Sequence, residues 1–496
     1  SVNGPPGTGK TTLLKDIIAS NIVERAAKFC ESNHVNDIFK KVVGRDGISF
    51  YYDIPSDIAL YGMLVLSSNN KAVENITLEL PNISSVEEGT NGSTLFHPDS
   101  SNQQVDLSYF AKDKKYQFVK SNEVYFTFLA DRLAESNEQW GLISARLGKK
   151  SNINTFMPVL DVLSSDMSSI MRMPSAQDAF ESAKKQFQAQ HNLVKALFTY
   201  VTAYEENIHL IQELKGKIDK LKEEVLVINE QLSKYDDLDD NLLKLIERKN
   251  SIESKLIELN SKRSIIDKIW SATNWSILEA MSNAALLSVI EDETTKLQNV
   301  KGELDALHQL VNERESIINT KDGLLADIKG FDNTLQEIEE TQQDILGILK
   351  TDNKDTIHCF DDIASKLMSP DEDRAEAHTA FLYMCNYLNE CREHLLYDAL
   401  QLQKAVVMSD AFRKNMQLLS QYWGSLNDRK NLQKNFDLDA IFPALLNSLM
   451  IAVPVISSTF AAVERFLINC KSESSLGTII IDEAGQASPH MLVRTL

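Results

Sequence analysis

Cysteine is scarce in this chain, and basic residues are outnumbered by acidic ones. Five cysteines, an odd number, are spread over 496 residues, which argues against a disulfide framework and favours a reducing compartment. Lys and Arg number 51 against 71 Asp and Glu, which gives a formal net charge of −20. Because a uniformly acidic surface repels nucleic acid, any nucleic-acid site needs a local basic groove, or lies outside this chain.

A signal peptide is lacking, and one uncharged stretch, residues 440–463, is long enough to span a bilayer. Prolines, an asparagine and hydroxyl residues interrupt that stretch, so we interpret it as a buried helix followed by a buried strand. We therefore expect a cytoplasmic protein with no membrane partner. No initiator methionine is present and only three residues precede the first motif, so we also expect a fragment of a longer protein.

That first motif is a glycine-rich sequence. It matches G-x-x-x-x-G-K-[ST] at every fixed position, and apolar residues at helical spacing follow it. Glycines allow successive backbone N–H groups to point at an anion, which would then lie on a helix N-terminus. The pattern predicts a phosphate-binding loop rather than a plain surface turn, with Lys10 on the β- and γ-phosphates and Thr11 on Mg²⁺. The expected nucleotide-binding residues are Gly4, Pro5, Pro6, Gly7, Thr8, Gly9, Lys10, Thr11 and Thr12.

A second motif lies near the other end of the chain. Four β-branched residues, 478–481, run into Asp482 and Glu483, a pattern in which the first acid binds Mg²⁺ opposite Thr11. The second acid, Glu483, is placed to orient or deprotonate the attacking water, so we predict Glu483 and Lys10 as catalytic residues. Two adjacent acids after a strand are common on protein surfaces. This motif therefore indicates a nucleotide site only in combination with the phosphate-binding loop.

The order of predicted elements indicates an α/β fold that is interrupted by helices. Residues 1–80 and 431–496 each contain an apolar strand followed by a polar turn. This order is typical of a parallel sheet that binds its ligand at the carboxyl ends of the strands. Residues 81–174 form a mixed subdomain, in which 124–129 and 140–143 are expected to pack a small satellite core. Residues 175–430 are expected to be a helical and coiled-coil insertion.

Three apolar seams at steps of three and four residues predict the coiled coil. An acidic break at 236–240 separates the first two seams, which suggests that they form an antiparallel hairpin. The first seam is Leu193, Leu197, Tyr200, Tyr204, Asn207, Ile211, Leu214, Ile218, Leu221, Val225, Ile228 and Leu232. The second is Leu242, Leu245, Ile252, Leu256, Leu259, Ile266 and Trp270, and the third is Leu297, Val300, Leu304, Leu307, Val311, Ile318, Leu325 and Ile328.

Four segments together resemble the first RecA-like domain of superfamily 1 helicases of the Upf/senataxin type. They are residues 4–12, 70–75, 458–459 and 482–487, in the order of motifs I, Ia, Ic and II. The resemblance covers about a third of the chain, at its two ends. It implies a P-loop NTPase that couples ATP hydrolysis with Mg²⁺ to movement on single-stranded DNA or RNA. It also implies that Asn70, Ser458 and Thr459 contact the nucleic-acid backbone and that Gln486 couples nucleotide state to strand position.

Two other functions remain open. The order of phosphate-binding loop, coiled coil and acidic strand is also that of SMC-type ATPases, which tether DNA, although residues 474–477 imitate their signature poorly. Alternatively, the coiled coil is a protein-docking arm and the nucleotide site is its switch. The chain ends at Leu496 without a second RecA-like domain and its arginines, so we expect slow hydrolysis from this segment alone.

Three smaller features are weaker as functional sites. Cys385, Cys391 and His394 lie close in sequence, but their spacing scatters them around a helix, so we expect buried helix residues rather than a zinc site. The pairs 149–150 and 40–41 are lysines, and each is too short to indicate a nucleic-acid patch.

Overall fold

The computed structural model describes residues 10–68, 73, 78–84, 95–96, 105, 123–136, 138–270, 276–350, 360–369, 385–471, 476–482 and 484. The chain divides into two compact units, unit 1 with residues 1–201 and 349–496 and unit 2 with residues 202–348. The chain therefore leaves unit 1 and returns to it, as expected for a core interrupted by an insertion. Unit 2 is shorter than the predicted insertion, because residues 175–201 and 349–430 belong to unit 1.

The elements follow one another in mostly helical order. The strands are β1 (Lys40–Val43), β2 (Phe50–Asp53), β3 (Met63–Ser67), β4 (Ser144–Arg146), β5 (Val455–Thr459) and β6 (Thr478–Ile481). The helices are α1 (Lys10–Phe29), α2 (Ser56–Ala59), α3 (Thr127–Ala134), α4 (Lys150–Leu163), α5 (Met167–Ile170), α6 (Ala176–Leu232), α7 (Leu238–Trp270), α8 (Ser276–Ile348), α9 (Phe360–Leu367), α10 (Asn386–Val407), α11 (Asp410–Trp423), α12 (Leu426–Asn435), α13 (Leu438–Ala452) and α14 (Phe460–Phe466).

Unit 1 contains the predicted parallel sheet. Its strand order is β4-β5-β3-β6, and the neighbouring strands pair in parallel. Ser67 lies opposite Thr459, and Leu66 lies opposite Ile481. Because the strands run the same way, their carboxyl ends meet at one edge of the sheet. The α/β prediction is therefore confirmed at the level of a small parallel sheet within a mainly helical chain.

Helix α13 forms the centre of the core and leads directly into the sheet. Its residues from Ala444 to Ala452 are all buried, and β5 is buried throughout. The uncharged stretch is thus a buried helix followed by a buried strand, as predicted. The apolar run 450–456 is not a single strand. Its first three residues end the helix, Val453 leaves helical geometry before Pro454, and the strand begins at Val455. None of the helices in the described ranges combines the length and apolar character that a bilayer crossing requires.

Residues 124–129 and 140–143 do not form a satellite core. Their apolar side chains are buried, and the hydroxyl of Tyr125 lies 3.1 Å from the carbonyl oxygens of both Ile451 and Ala452 at the end of α13. The segment therefore packs into the main core of unit 1. The sequence did not indicate this, because the two partners are more than 300 positions apart.

Unit 2 is built on α8, a helix of 73 residues that spans about 110 Å. Helix α7 packs along the first part of α8, where Ile252, Leu256 and Val300 form a buried cluster. The ion pairs Lys255–Glu293 at 2.7 Å and Arg314–Asp239 at 2.8 Å link the same two helices. As the residue number rises on α7 it falls on α8, so these two helices are antiparallel.

The second half of α8 is joined to α6 instead. Lys215 of α6 pairs with Glu339 of α8 at 3.0 Å. Our expectation of a hairpin between the first two seams was therefore wrong, since the antiparallel pair is α7–α8. The cause is the joint between α6 and α7, where residues 233–235 are a 3₁₀ turn and the flanking Leu232 and Asp236 keep helical φ and ψ values. A joint of helical residues does not reverse the chain as a hairpin requires.

The third seam was predicted correctly except at Ile318 and Leu325. Val300 is buried and Ile328 is 8% exposed, but Ile318 is 37% exposed and Leu325 is 44% exposed. The half-buried positions are instead their neighbours, Ile317 and Leu324. The seam shifts by one residue at these two positions and is back in register at Ile328. Because each shifted position holds two adjacent apolar residues, the sequence pattern does not show which of the two is buried.

Candidate nucleotide and nucleic-acid site

The carboxyl edge of the sheet brings together the ends of β3, β5 and β6. Strand β3 ends at Ser67, before motif Ia, of which only Val73 is described; β5 ends in Ser458 and Thr459, and β6 runs into Asp482. The backbone N–H of Asp482 donates to the carbonyl of Leu66 at 2.9 Å, which extends the pairing of β3 with β6 by one residue. Asp482 therefore lies beside the end of β3, and Thr459 lies on the other side of that strand.

The phosphate-binding loop lies mostly outside the described residues. Gly4, Pro5, Pro6, Gly7, Thr8 and Gly9 precede the first described position, whereas Lys10, Thr11 and Thr12 are the opening residues of α1. The predicted helix after the loop is present, and α1 packs on α10 and α2. Its buried stripe is Ile18, Ile22, Ala26 and Phe29, while Leu13 and Ile17 are exposed by 39% and 38%. Asn70, Glu483 and Gln486 also lie outside the described residues.

Ser458 and Thr459 lie at the edge but are largely covered. Ser458 is 1% exposed and Thr459 is 7% exposed. Thr459 occupies the N-cap position of α14, yet its side chain makes no capping hydrogen bond. The Thr459 hydroxyl is therefore not accounted for by a capping role, while Ser458 faces the neighbouring loop rather than the surface.

That neighbouring loop is a part of the site that our sequence reasoning missed. Strand β4 joins the same sheet beside β5, and the N–H of Leu147 donates to the carbonyl of Ser457 at 3.0 Å. Gly148 then turns the chain into α4 with a φ of +101°, and a Cβ at this position would lie 2.2 Å from Oγ of Ser458. Only glycine fits this close approach with a positive φ. A short strand followed by glycine and a helix was the signal for it.

The same loop places basic residues at the carboxyl edge. Arg146 ends β4, Lys149 occupies the N-cap of α4 and Lys150 begins that helix. A cleft of about 250 Å³ lies here, bounded by Leu78 from the segment after β3 and by Phe156 of α4. Arg146 lines this cleft, and the two lysines, which looked too few for a patch, directly follow Gly148, the residue that approaches Ser458.

The donors at this edge fit a magnesium–nucleotide site in kind. Mg²⁺ in such sites takes one or two carboxylates, with phosphate oxygens and water completing the shell, and Asp482 supplies one carboxylate at a strand end. Among the described residues, no three His, Cys, Asp or Glu side chains lie close enough together to hold a metal ion. Cys391 is a buried residue of α10, as predicted. The prediction was wrong for the other two residues, because Cys385 is buried but occupies the extended N-cap position before that helix, and His394 is exposed.

Comparison with known proteins adds no assignment to this geometry. No family model, no curated protein and no solved structure matches the chain. Arguments about function therefore rest on the sheet edge and on the sequence motifs that lead into it.

Proposed function

We propose that the protein is an ATP-dependent helicase or translocase that moves on single-stranded DNA or RNA. The observation that carries the proposal is the shared carboxyl edge of β3, β5 and β6. Motif Ic of the resemblance ends β5 and motif II begins at the end of β6, and both strands flank β3, which lies hundreds of residues earlier in the chain and leads toward motif Ia. In open α/β sheets this edge is where ligands bind.

The local charge at the edge supports a nucleic-acid partner. The chain carries a net charge of −20, which opposes binding to phosphates over most of its surface. Arg146, Lys149 and Lys150 lie at this edge, next to the strand that ends in Thr459. Cations concentrated beside a cleft would attract a phosphodiester backbone there in spite of the overall charge.

In this proposal each chemical role falls to one or two residues. Lys10 binds the β- and γ-phosphates, Thr11 and Asp482 hold Mg²⁺, and Glu483 orients the attacking water. Bound Mg²⁺ would neutralise the charge that develops on the phosphate oxygens. Phosphoryl transfer demands positioning and charge stabilisation more than covalent chemistry, and strand ends on a buried sheet provide rigid positions.

The test is the substitution Lys10→Ala. Charge-assisted hydrogen bonds contribute about 1.5–3 kcal/mol each, so we expect affinity for Mg·ATP to fall by at least about tenfold and turnover to disappear. Equilibrium binding of a fluorescent ATP analogue and phosphate release measure the two effects.

Lys15→Ala is the matched control, because Lys15 is a lysine on the same helix outside the phosphate-binding pattern. Its binding and turnover should equal those of the wild type. Wild-type binding in Lys10→Ala would contradict the nucleotide site itself. Turnover that single-stranded oligonucleotides do not stimulate would contradict the motor and leave the nucleotide site standing.

A nucleotide-switched docking module is the second candidate, favoured by the exposed apolar residues of unit 2. Ile257 of α7 is 71% exposed and Leu226 of α6 is 64% exposed. Single exposed apolar residues are normal on protein surfaces, and these two supply apolar area that a protein partner of the arm could cover. Glu483→Gln separates the two functions. A motor loses strand-stimulated turnover in this variant, whereas a switch keeps partner binding under the control of ATP.

A further inference from the structure

Helix α1 is tied to the end of α13 by a buried arginine. Arg25 is 1% exposed. Its Nε donates to Oε1 of Gln403 at 3.0 Å, and its Nη1 donates to the carbonyl of Met450 at 2.6 Å. Burial lowers the pKa of Arg25 to about 10, so the guanidinium keeps its charge at neutral pH. The two oxygens that accept these hydrogen bonds are uncharged. The guanidinium of Arg25 lies at the carboxyl end of α13, which is the negative end of the helix dipole.

Tyr125 completes the connection. Its hydroxyl accepts a hydrogen bond from Nε2 of Gln403 at 2.6 Å and lies 3.1 Å from the carbonyls of Ile451 and Ala452. The last carbonyls of a helix have no partner within it. Here Arg25 donates to the carbonyl of Met450, and the single hydroxyl proton of Tyr125 lies within reach of the next two carbonyls, so side chains from outside α13 fix the position of its end.

The segment that carries Tyr125 is itself held in a costly conformation. Phe126 is fully buried and has a φ of +49°, a region that bulky residues avoid. A buried ion pair supports it: Nζ of Lys404 lies 3.1 Å from Oε1 of Glu123 and also donates to the carbonyl of Val124 at 3.1 Å. The same Glu123 oxygen accepts the N–H of Phe126. Strain of this kind persists where the surroundings over-determine it, and it clusters at functional sites.

The network links the two ends of the proposed motor site along the chain. Helix α1 opens at Lys10, and Arg25 lies 15 residues further on, about 22 Å along a rigid helix. On the other side, two residues, Val453 and Pro454, join the end of α13 to β5, which ends in Thr459. A shift of α1 along its axis therefore acts on the start of β5 through the network.

We propose that Arg25 is a positioning residue that couples the phosphate-binding helix to β5 through Gln403 and Tyr125. Through this connection, nucleotide bound at the start of α1 changes the affinity of the β5 edge for single-stranded nucleic acid. The inference rests on the proposed function and adds to it the residues that transmit the signal.

Tyr125→Phe tests the coupling with the least disturbance. It removes one hydroxyl and leaves the α13 carbonyls without their donor, but keeps the buried ring. The quantity to measure is the ratio of the Kd for a labelled single-stranded oligonucleotide with and without a non-hydrolysable ATP analogue. We expect this ratio to move toward one by on the order of tenfold, while the affinity for ATP alone stays near the wild-type value. Reciprocity requires the same change in the effect of oligonucleotide on ATP affinity.

Tyr422→Phe is the matched control. Tyr422 is also buried, and its hydroxyl hydrogen-bonds Asn469 at 2.6 Å, away from the network. It should lower the melting temperature as much as Tyr125→Phe does and leave the coupling ratio unchanged. Arg25→Lys is the second variant, since a lysine keeps the charge but cannot bridge Gln403 and Met450 as a guanidinium does.

Four results separate the possible failures. Wild-type coupling in both Tyr125→Phe and Arg25→Lys overturns the inference, and so does a wild-type chain that binds ATP and oligonucleotide independently. Equal loss of coupling in Tyr422→Phe also overturns it, because the effect would then reflect stability. Failure of the wild-type chain to bind ATP overturns the proposed function instead.

Discussion

At the residue scale, the ion pair Lys404–Glu123 is notable because both of its charges are buried in the core. Both side chains are 0% exposed, and burial lowers the pKa of Lys404 because it disfavours the charged form. Removing one partner of such a pair costs about 3–5 kcal/mol, whereas replacing both by apolar groups is often neutral. The pair is therefore weak evidence for stability and better evidence that the fold needs Tyr125 and Phe126 held in one place.

Gly148 offers a direct test of the loop between β4 and α4. In Gly148→Ala the new Cβ would lie 2.2 Å from Oγ of Ser458 at a φ of +101°, so the strand end must move. We expect a loss of roughly 1–3 kcal/mol in the free energy of unfolding, measured by urea denaturation, and a weaker affinity for oligonucleotides if the proposed function holds.

Gly216→Ala is its control. Gly216 lies inside α6 with open space around its Cβ position, and alanine is favoured over glycine there by about 1 kcal/mol. This variant should be stabilised or unchanged. Destabilisation of both variants to the same degree would show that the close approach of Gly148 to Ser458 is not the cause.

At this scale the sequence predicts features that depend on neighbouring residues in the chain, and it does not predict contacts between residues that are far apart in the chain. The strand that ends at Asp482 has a local signature of β-branched residues and an acid, and β6 appears where that signature lies. The bond between Arg25 and Gln403 spans 378 positions and leaves no local trace in either segment. The pair Lys149–Lys150 was too short to indicate a patch, and the approach of the preceding Gly148 to Ser458 is equally remote in sequence.

At the scale of elements, seam residues predicted the coiled-coil helices but not their partners. Heptad spacing fixes which face of a helix is apolar, and Leu214 and Ile218 of α6 are indeed buried. It does not say which helix covers that face. The composition of the acidic break between α6 and α7 predicted a turn that reverses the chain. The backbone at its start is helical instead, so α7 continues away from α6 without reversal, and both helices contact α8.

Adjacent leucines on α8 test the seam. Leu324 is half-buried and Leu325 is 44% exposed. Leu324→Ala should lower the free energy of unfolding of unit 2 by about 1–2 kcal/mol, whereas Leu325→Ala should stay within about 0.5 kcal/mol of the wild type. Thermal unfolding followed by circular dichroism distinguishes them. The reverse order would mean that the seam predicted from the sequence is the correct one.

At the scale of the whole molecule, the two units differ in how their helices are buried. From Ala444 to Ala452, α13 is buried on all sides, whereas α7 and α8 bury one stripe each and expose the rest. Stability in such a chain is not uniform, since segments with few buried apolar contacts open at lower free energy than the core. A single melting temperature would then average two different transitions.

Hydrogen exchange resolves this difference residue by residue. We expect amides of α13 and β5 to exchange slowest, because their opening requires unit 1 to unfold, and amides of α7 and of the first half of α8 to exchange faster by local opening. Lys404→Met, which leaves Glu123 without its buried partner, should accelerate exchange in α13 and leave α7 unchanged. Equal acceleration in both would show that the two units unfold as one, and the insertion would then be part of the core rather than a unit with its own stability.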